Sequence, residues 1–343
     1  MSLKVSVIIT AHDRRRYLKE AIRSVIEQEL NSAFEVIVVK NFDDKDIDSY
    51  MAEHGVIGIL CKERNVGEKL ADAITRSSGD IISFLDDDDM FYPGKLKVIV
   101  DEFTKHKEVN FYHNMAINID SNGEPITHHG RERMYDAGVI YIDPKARPSV
   151  RMLEALGPGA NMSSISIRRD VVNGHIGELR SIILYPDAFI YGISLAMGVR
   201  LEYDFRVLTK YRVHMENYNS LRGSRNLKEY LRTRSARLEI LLHDQRNIIE
   251  AIELIDKRSV AAELFRNNYA VYQISYWVNK GENRGMILKE YLRILFAGYL
   301  WSFNLYLVVL TSARVLSYAL LPESIAKKVR LVRAAKLFNR KKI

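Results

Sequence analysis

Four consecutive carboxylates, Asp86, Asp87, Asp88 and Asp89, follow directly on the apolar run 80–85, DIISFL. Most charge runs are solvated faces. This one stands at the end of a strand pattern, where open α/β sheets bind their ligands. Carboxylates gathered there repel one another unless a cation compensates, and Mg²⁺ or Mn²⁺ with a bound diphosphate is the cation their hard oxygens suit. Alternate residues of an extended segment share a face, so Asp86 and Asp88 are expected to point at one ligand. Two further residues belong with this chemistry. Asp187 opens a helical pattern after Pro186, where it would serve as an N-cap or accept a proton. His214 closes the extended stretch Tyr211-Arg212-Val213-His214, as a ligand or as a hydrogen-bonded loop histidine.

The elements that would position these groups alternate. Strand patterns at 4–10, 34–39, 56–60 and 80–85 are separated by helical patterns at 15–29 and 69–77, with a further helix at 94–106 and an extended segment at 109–119. Apolar strands between helices predict α/β architecture with a mostly parallel, Rossmann-like sheet covered on both faces. Residues 121–160, rich in Gly, Pro and charge, read as a long substrate-contacting loop region. Strand 163–168 and helix 187–197 follow. The first strand leads into Thr10-Ala11-His12-Asp13 with no glycine, so no dinucleotide fingerprint is present, and there is no P-loop. Side chains and a metal, in place of a glycine-rich turn, must hold any nucleotide.

Three segments resemble the family 2 glycosyltransferases, which have the GT-A fold: 5–29 (VSVIITAHDRRRYLKEAIRSVIEQE), 34–44, and above all 78–96 (SGDIISFLDDDDMFYPGKL), with Pro93 and Lys95-Leu96. The likeness covers roughly residues 3–220. It implies a GT-A catalytic domain over 1–222 and transfer of a sugar, with inversion, from a UDP- or GDP-linked donor to an acceptor hydroxyl. It implies Asp88 as metal ligand, Asp86 at the metal or ribose, and Ala11, His12, Asp13, Asn41 and Asp87 around the donor nucleotide. It also implies Asp187 as the base and His214 at the metal or diphosphate. The chain departs from the family pattern at Lys40-Asn41, where the family usually has Asp, and in the short segment 65–79.

Lys and Arg total 51 against 43 Asp and Glu, a net charge of +8, and the eight basic residues of 327–343 account for the whole excess. The neutral body argues against nucleic acid as a partner. From about residue 226 the texture becomes long helices, so 223–343 reads as a helical C-terminal region. Within it the nearly apolar run 294–313 is long enough to span a bilayer or lie in its interface. With the basic tail it predicts an anionic membrane surface as partner, a glycan or lipid-linked acceptor, and a place at the cytoplasmic face of a membrane. Residues 5–10 are too short for a signal peptide's apolar region, and the single cysteine, Cys61, excludes an intramolecular disulfide. Two alternatives stand beside the transferase. One is a sugar nucleotidyltransferase, which would need a glycine-rich, Arg-containing loop after the first strand. The other is an inactive sugar-nucleotide-binding scaffold.

Overall fold

The computed structural model describes residues 3–30, 32–63, 65–126, 138–148, 152–153, 161–214, 226–280 and 284–296, and beyond them 315, 320, 324–325, 328 and 332. The N-terminal half runs β1 (Val5–Ala11), α1 (Leu18–Ile26), β2 (Phe34–Lys40), α2 (Lys45–Glu53), β3 (Ile57–Leu60), α3 (Val66–Arg76) and β4 (Ile81–Asp86). The short β5 (Met90–Phe91), α4 (Lys95–Lys105) and β6 (Val109–Ile119) follow. Next come β7 (Val139–Ile142), β8 (Ile165–Arg168), α5 (Asp170–Asn173), α6 (Ile176–Arg180), α7 (Pro186–Ala196) and β9 (Arg200–Arg212). Three helices close the described chain: α8 (Leu227–Asp256), α9 (Val260–Lys280) and α10 (Arg284–Phe296).

All the strands form one sheet, in the order β3-β2-β1-β4-β8-β6-β9-β5, with β7 paired to β9. β1 pairs in parallel with β2 and β4, and β2 with β3. The sheet expected to be mostly parallel is mixed. β8 runs antiparallel to both β4 and β6, while β6 and β9 are parallel again, and β5 and β7 lie antiparallel to β9. The pattern of apolar runs fixes which segments are strands but carries no direction. Residues 121–160 also hold more than loop, since β7 and a 3-10 turn at Pro144–Ala146 lie within them; 127–137 and 154–160 lie outside the described residues.

Strand side chains alternate between two cores. Ile8, Ile37, Ile82 and Phe84 face one core, with Leu70 and Ile74 of α3 and Phe189 and Ile193 of α7. Val7, Ile9, Val38 and Leu85 face the other, with Ile22 of α1 and Leu96 and Ile99 of α4. Ile248, Ala251 and Ile252 of α8 and Ala261, Leu264 and Phe265 of α9 belong to the first of these cores. The change of texture near residue 226 is therefore not a change of core. Helix α8 starts where Asn226 accepts the N–H of Glu229 at 2.9 Å, the first half of a capping box.

No helix among the described residues is long and apolar enough to cross a membrane. Residues 297–314, most of the apolar run, lie outside the described residues, as does the basic tail except for residues 328 and 332.

Candidate active site

From β1 the chain moves to β2 on one side, and β4 returns on the other side of β1. Connections leaving β1 and β4 thus diverge, which opens a crevice at the carboxyl ends of these two strands. Both sequence motifs fall there. Ala11 ends β1 and precedes His12 and Asp13, and Asp86 ends β4.

The acidic run is a turn, not the extended segment expected. The Asp89 N–H donates to the Asp86 carbonyl at 3.2 Å. The turn gathers oxygens of Asp86, Asp88 and Asp89 within 4.8 Å of one another. Asp89 thus joins the two carboxylates that alternation selected, while Asp87 turns to the β1 side and accepts from the His12 N–H at 3.4 Å. Arg14 reaches both Asp87 and Asp88, with its Nη1 2.6 Å from Asp88 Oδ2. His214 Nε2 lies 2.9 Å from the same Asp88 oxygen. Beneath the turn, Ser163 Oγ donates to Asp89 Oδ2 at 2.6 Å and accepts the Asp86 N–H at 3.0 Å. Arg212, fully buried, donates its backbone N–H to Asp89 Oδ1 and its Nε–H to the Asp88 carbonyl, both at 2.8 Å.

Burial, and then the repulsion of Asp88 and Asp87, raises the Asp86 carboxyl well above the usual carboxylate range. Burial raises Asp87 as well, although Arg14 opposes it. Asp89 rises through burial and the charges of Asp88 and Asp86. On Arg14 itself, burial acts to lower the pKa, and Asp87 and Asp88 overcome it to raise it. The cluster therefore has more carboxyls than Arg14 can keep ionised, and a further cation would favour their charged forms.

Asp187 stands in the first turn of α7. Its Oδ1 accepts the Ala188 N–H at 2.9 Å. Burial outweighs these backbone hydrogen bonds and lifts the carboxyl to about 6. Its charge is felt at Asp86, which it helps to raise.

On the β1–β2 side, Asp13 has a left-handed backbone (φ 58°) and exchanges two hydrogen bonds with Asn41, each 2.8 Å. His12 Nε2 lies 3.3 Å from Asp13 Oδ2, and its Nδ1 lies 2.7 Å from Nζ of the buried Lys69. Burial lowers the Lys69 pKa; with Lys69 as an ammonium, which can only donate, Nδ1 accepts and the ring proton sits on Nε2 toward Asp13. Lys40 points away, to the Phe42 carbonyl and to Asp48.

All the residues singled out by sequence thus lie along one sheet edge. Arg14, Lys69, Asp89, Ser163 and Arg212 were not singled out. Arg14 sat in a run of three arginines with nothing to select one, and Arg212 lay inside a motif quoted only for its histidine. Ser163 and Lys69 carried no local signal.

The carboxylate cluster thus stands at the switch point of an open α/β sheet, where such sheets bind ligands. Residues 6–152, less than half of the chain, match the family model Glycosyl transferase family 2. An uncharacterized glycosyltransferase of Haemophilus influenzae is 24% identical over 205 residues, covering 59% of this chain and 60% of that protein. One from Nostoc sp. is 30% identical over 130 residues, covering 36% and 40%. The chain spans less than two thirds of the length of these curated relatives. The crystal structure of S. aureus TarS 1–349 in complex with UDP-GlcNAc shares the fold, with TM-score 0.54 and 14% identity, over 99% of this chain and 89% of that one. Residues 6–152 are thus similar to glycosyl transferase family 2, and the α/β fold of the chain is shared with TarS.

Proposed function

We propose that the chain transfers a sugar from a nucleotide-diphosphate donor to an acceptor hydroxyl, with inversion and with the help of a divalent metal. The observation that carries this reading is the cluster of half-buried Asp86 with buried Asp88 and Asp89, with a separate carboxyl, Asp187, near enough for its charge to act on Asp86. The three carboxylates offer hard oxygens in one small volume, with His214 Nε2 against Asp88. Their mutual repulsion fits a dication such as Mg²⁺ or Mn²⁺. Bound there, the ion would neutralise charge that develops on the leaving diphosphate.

The chain's own groups supply the rest. Asp187, ionised above about pH 6, takes the proton of the attacking hydroxyl. Asp13 and Asn41, locked together, border the nucleotide, and Lys69 orients His12 beside them. One base with no second carboxylate needed as nucleophile supports a single displacement, hence inversion. The complex of TarS with UDP-GlcNAc makes uridine diphosphate sugars the first donors to test. The basic tail and the apolar run 294–313 support an acceptor held at an anionic membrane surface, on its cytoplasmic face: a glycan or a lipid-linked saccharide.

A thermal-shift panel of nucleotide-diphosphate sugars with Mn²⁺ and with EDTA tests the reading, because a ligand of the native state stabilises it by mass action. One donor should raise Tm only with metal and should then be turned over to a product of opposite anomeric configuration. If no donor of this class stabilises or reacts, the reading fails.

A further inference from the structure

Aspartate is a poor residue for a helix interior and a costly one to bury without partners. Asp244 nevertheless sits in the interior of α8 with no exposed surface. Its oxygens take three backbone N–H groups from the segment entering α7: Ile183 to Oδ1 at 2.9 Å, and Leu184 and Tyr185 to Oδ2 at 2.8 and 3.0 Å. His243 Nδ1 lies 3.1 Å from Oδ1.

Carbonyls of the same segment are held from another side. Val66 and Gly67, in the first turn of α3, donate to Ile183 and Ile182, both at 3.0 Å. Gly67 makes that approach possible, since a Cβ there would lie 2.0 Å from the Leu179 carbonyl oxygen. The backbone of 182–185 is thus clamped between α3 and α8. Tyr185, the N-cap of α7, makes no side-chain cap, and Pro186 has no N–H. The clamp, and not a local cap, therefore sets where α7 begins. Two residues past Tyr185 stands Asp187, its carboxylate tied to the Ala188 N–H.

We propose that Asp244 is a positioning residue for the Asp187 carboxylate, a role that rests on Asp187 being the base of glycosyl transfer. A helix outside the sheet's own connections then completes the active site, and it does so through main chain, without touching substrate. Displacement of a reacting group by about 1 Å costs on the order of 10²-fold in rate. Residues bordering the donor lie on other elements, so donor binding should survive.

The test uses the full-length chain with Asp244→Asn, which keeps one acceptor oxygen and sets an NH₂ against the remaining N–H groups. Asp244→Glu keeps the charge but displaces the segment by a methylene, and it decides the matter if the Asn protein does not fold. Ile248→Ala, in the same helix, controls for lost stability. Amides 183–185 should exchange faster with deuterium in the Asp244 variants. Their kcat per folded molecule should fall by about 10–100-fold with KM for the donor within about threefold. The Ile248→Ala protein should keep wild-type kcat per folded molecule. Unchanged kcat in the folded Asp244 variants overturns the proposal, as does a loss matched by Ile248→Ala. A wild-type chain that turns over no nucleotide sugar overturns the functional reading instead, before any variant is made.

Discussion

At the scale of single residues, burial of Asp187 has a sign for both activity and stability. Its carboxyl sits near 3.8 when unfolded and about 6 when folded. Between those values the native state binds more protons than the unfolded state, so stability declines as pH rises through that window. Two units correspond to roughly 3 kcal/mol. Asp187→Asn should therefore be more stable than wild type at pH 7, by about 1–3 kcal/mol, with the difference gone near pH 4. Urea titrations at both pH values check this. The same variant should lose roughly 10²–10⁴-fold in turnover while still binding donor, and wild-type turnover should rise with pH through about 6. The N-cap of α7 is Tyr185 and not Asp187 as the sequence suggested, and an Asp187→Asn protein that is less stable yet fully active would identify a structural first-turn residue and no base. Asp88 is the second residue to test. It touches both Arg14 and His214 and belongs to the cluster. Asp88→Ala should abolish the Mn²⁺-dependent part of the donor's thermal shift and should abolish turnover, with the circular-dichroism spectrum unchanged.

Among the elements, what could be read in advance follows from how local each signal is. β1, β2 and β4 are dense in Val and Ile and announce themselves, and α3 and α4 show their apolar periodicity. Helix α2 does not, because KDIDSYMAE buries only Ile47 and Met51 and depends on the Asp44 cap, whose Oδ1 accepts the Ile47 N–H at 3.1 Å. The antiparallel insertion of β8 between β4 and β6 is a long-range pairing that nothing within ISIR encodes. The site divides in the same way. Asp86, Asp88 and Asp187 declare themselves by type and by position at element ends. Arg14, Lys69, Ser163 and Arg212 matter only through partners dozens of residues away. Gly67 is similar, an ordinary first-turn residue until α6 and its following turn are laid against it. Gly67→Ala must push the Leu179 carbonyl aside. It should cost about 1–3 kcal/mol or more in chemical denaturation, and it should lower kcat more than donor affinity because the displaced segment leads to Asp187.

For the molecule as a whole, helices α8 and α9 share a core with the sheet. A boundary at 222 invites truncation after Gly223, yet that cut strips Ile248, Ile252, Leu264 and Phe265 from the core beneath α7 and removes Asp244. Burial of each such side chain contributes about 1.5–3 kcal/mol, and total stability is only about 5–15 kcal/mol. The truncated chain should be insoluble or molten, as near-UV circular dichroism would show, whereas removal of 327–343 alone should leave donor binding intact. The tail deletion should also weaken flotation with anionic vesicles at low salt if the basic residues hold the protein there. A body knitted this way would limit how the donor preference proposed for it can evolve or be engineered. Lys69, His12, Asp13 and Asn41 come from α3, the β1 exit and the β2 exit, and each is tied to the next by one or more hydrogen bonds or ion contacts. Swapping one of them alone leaves its neighbour without the partner that oriented it, so single substitutions should look uniformly harmful even when the right combination exists. Interaction energies of about 0.5–3 kcal/mol between contacting positions make this set rugged terrain, to be crossed by changing two or more residues in the same step.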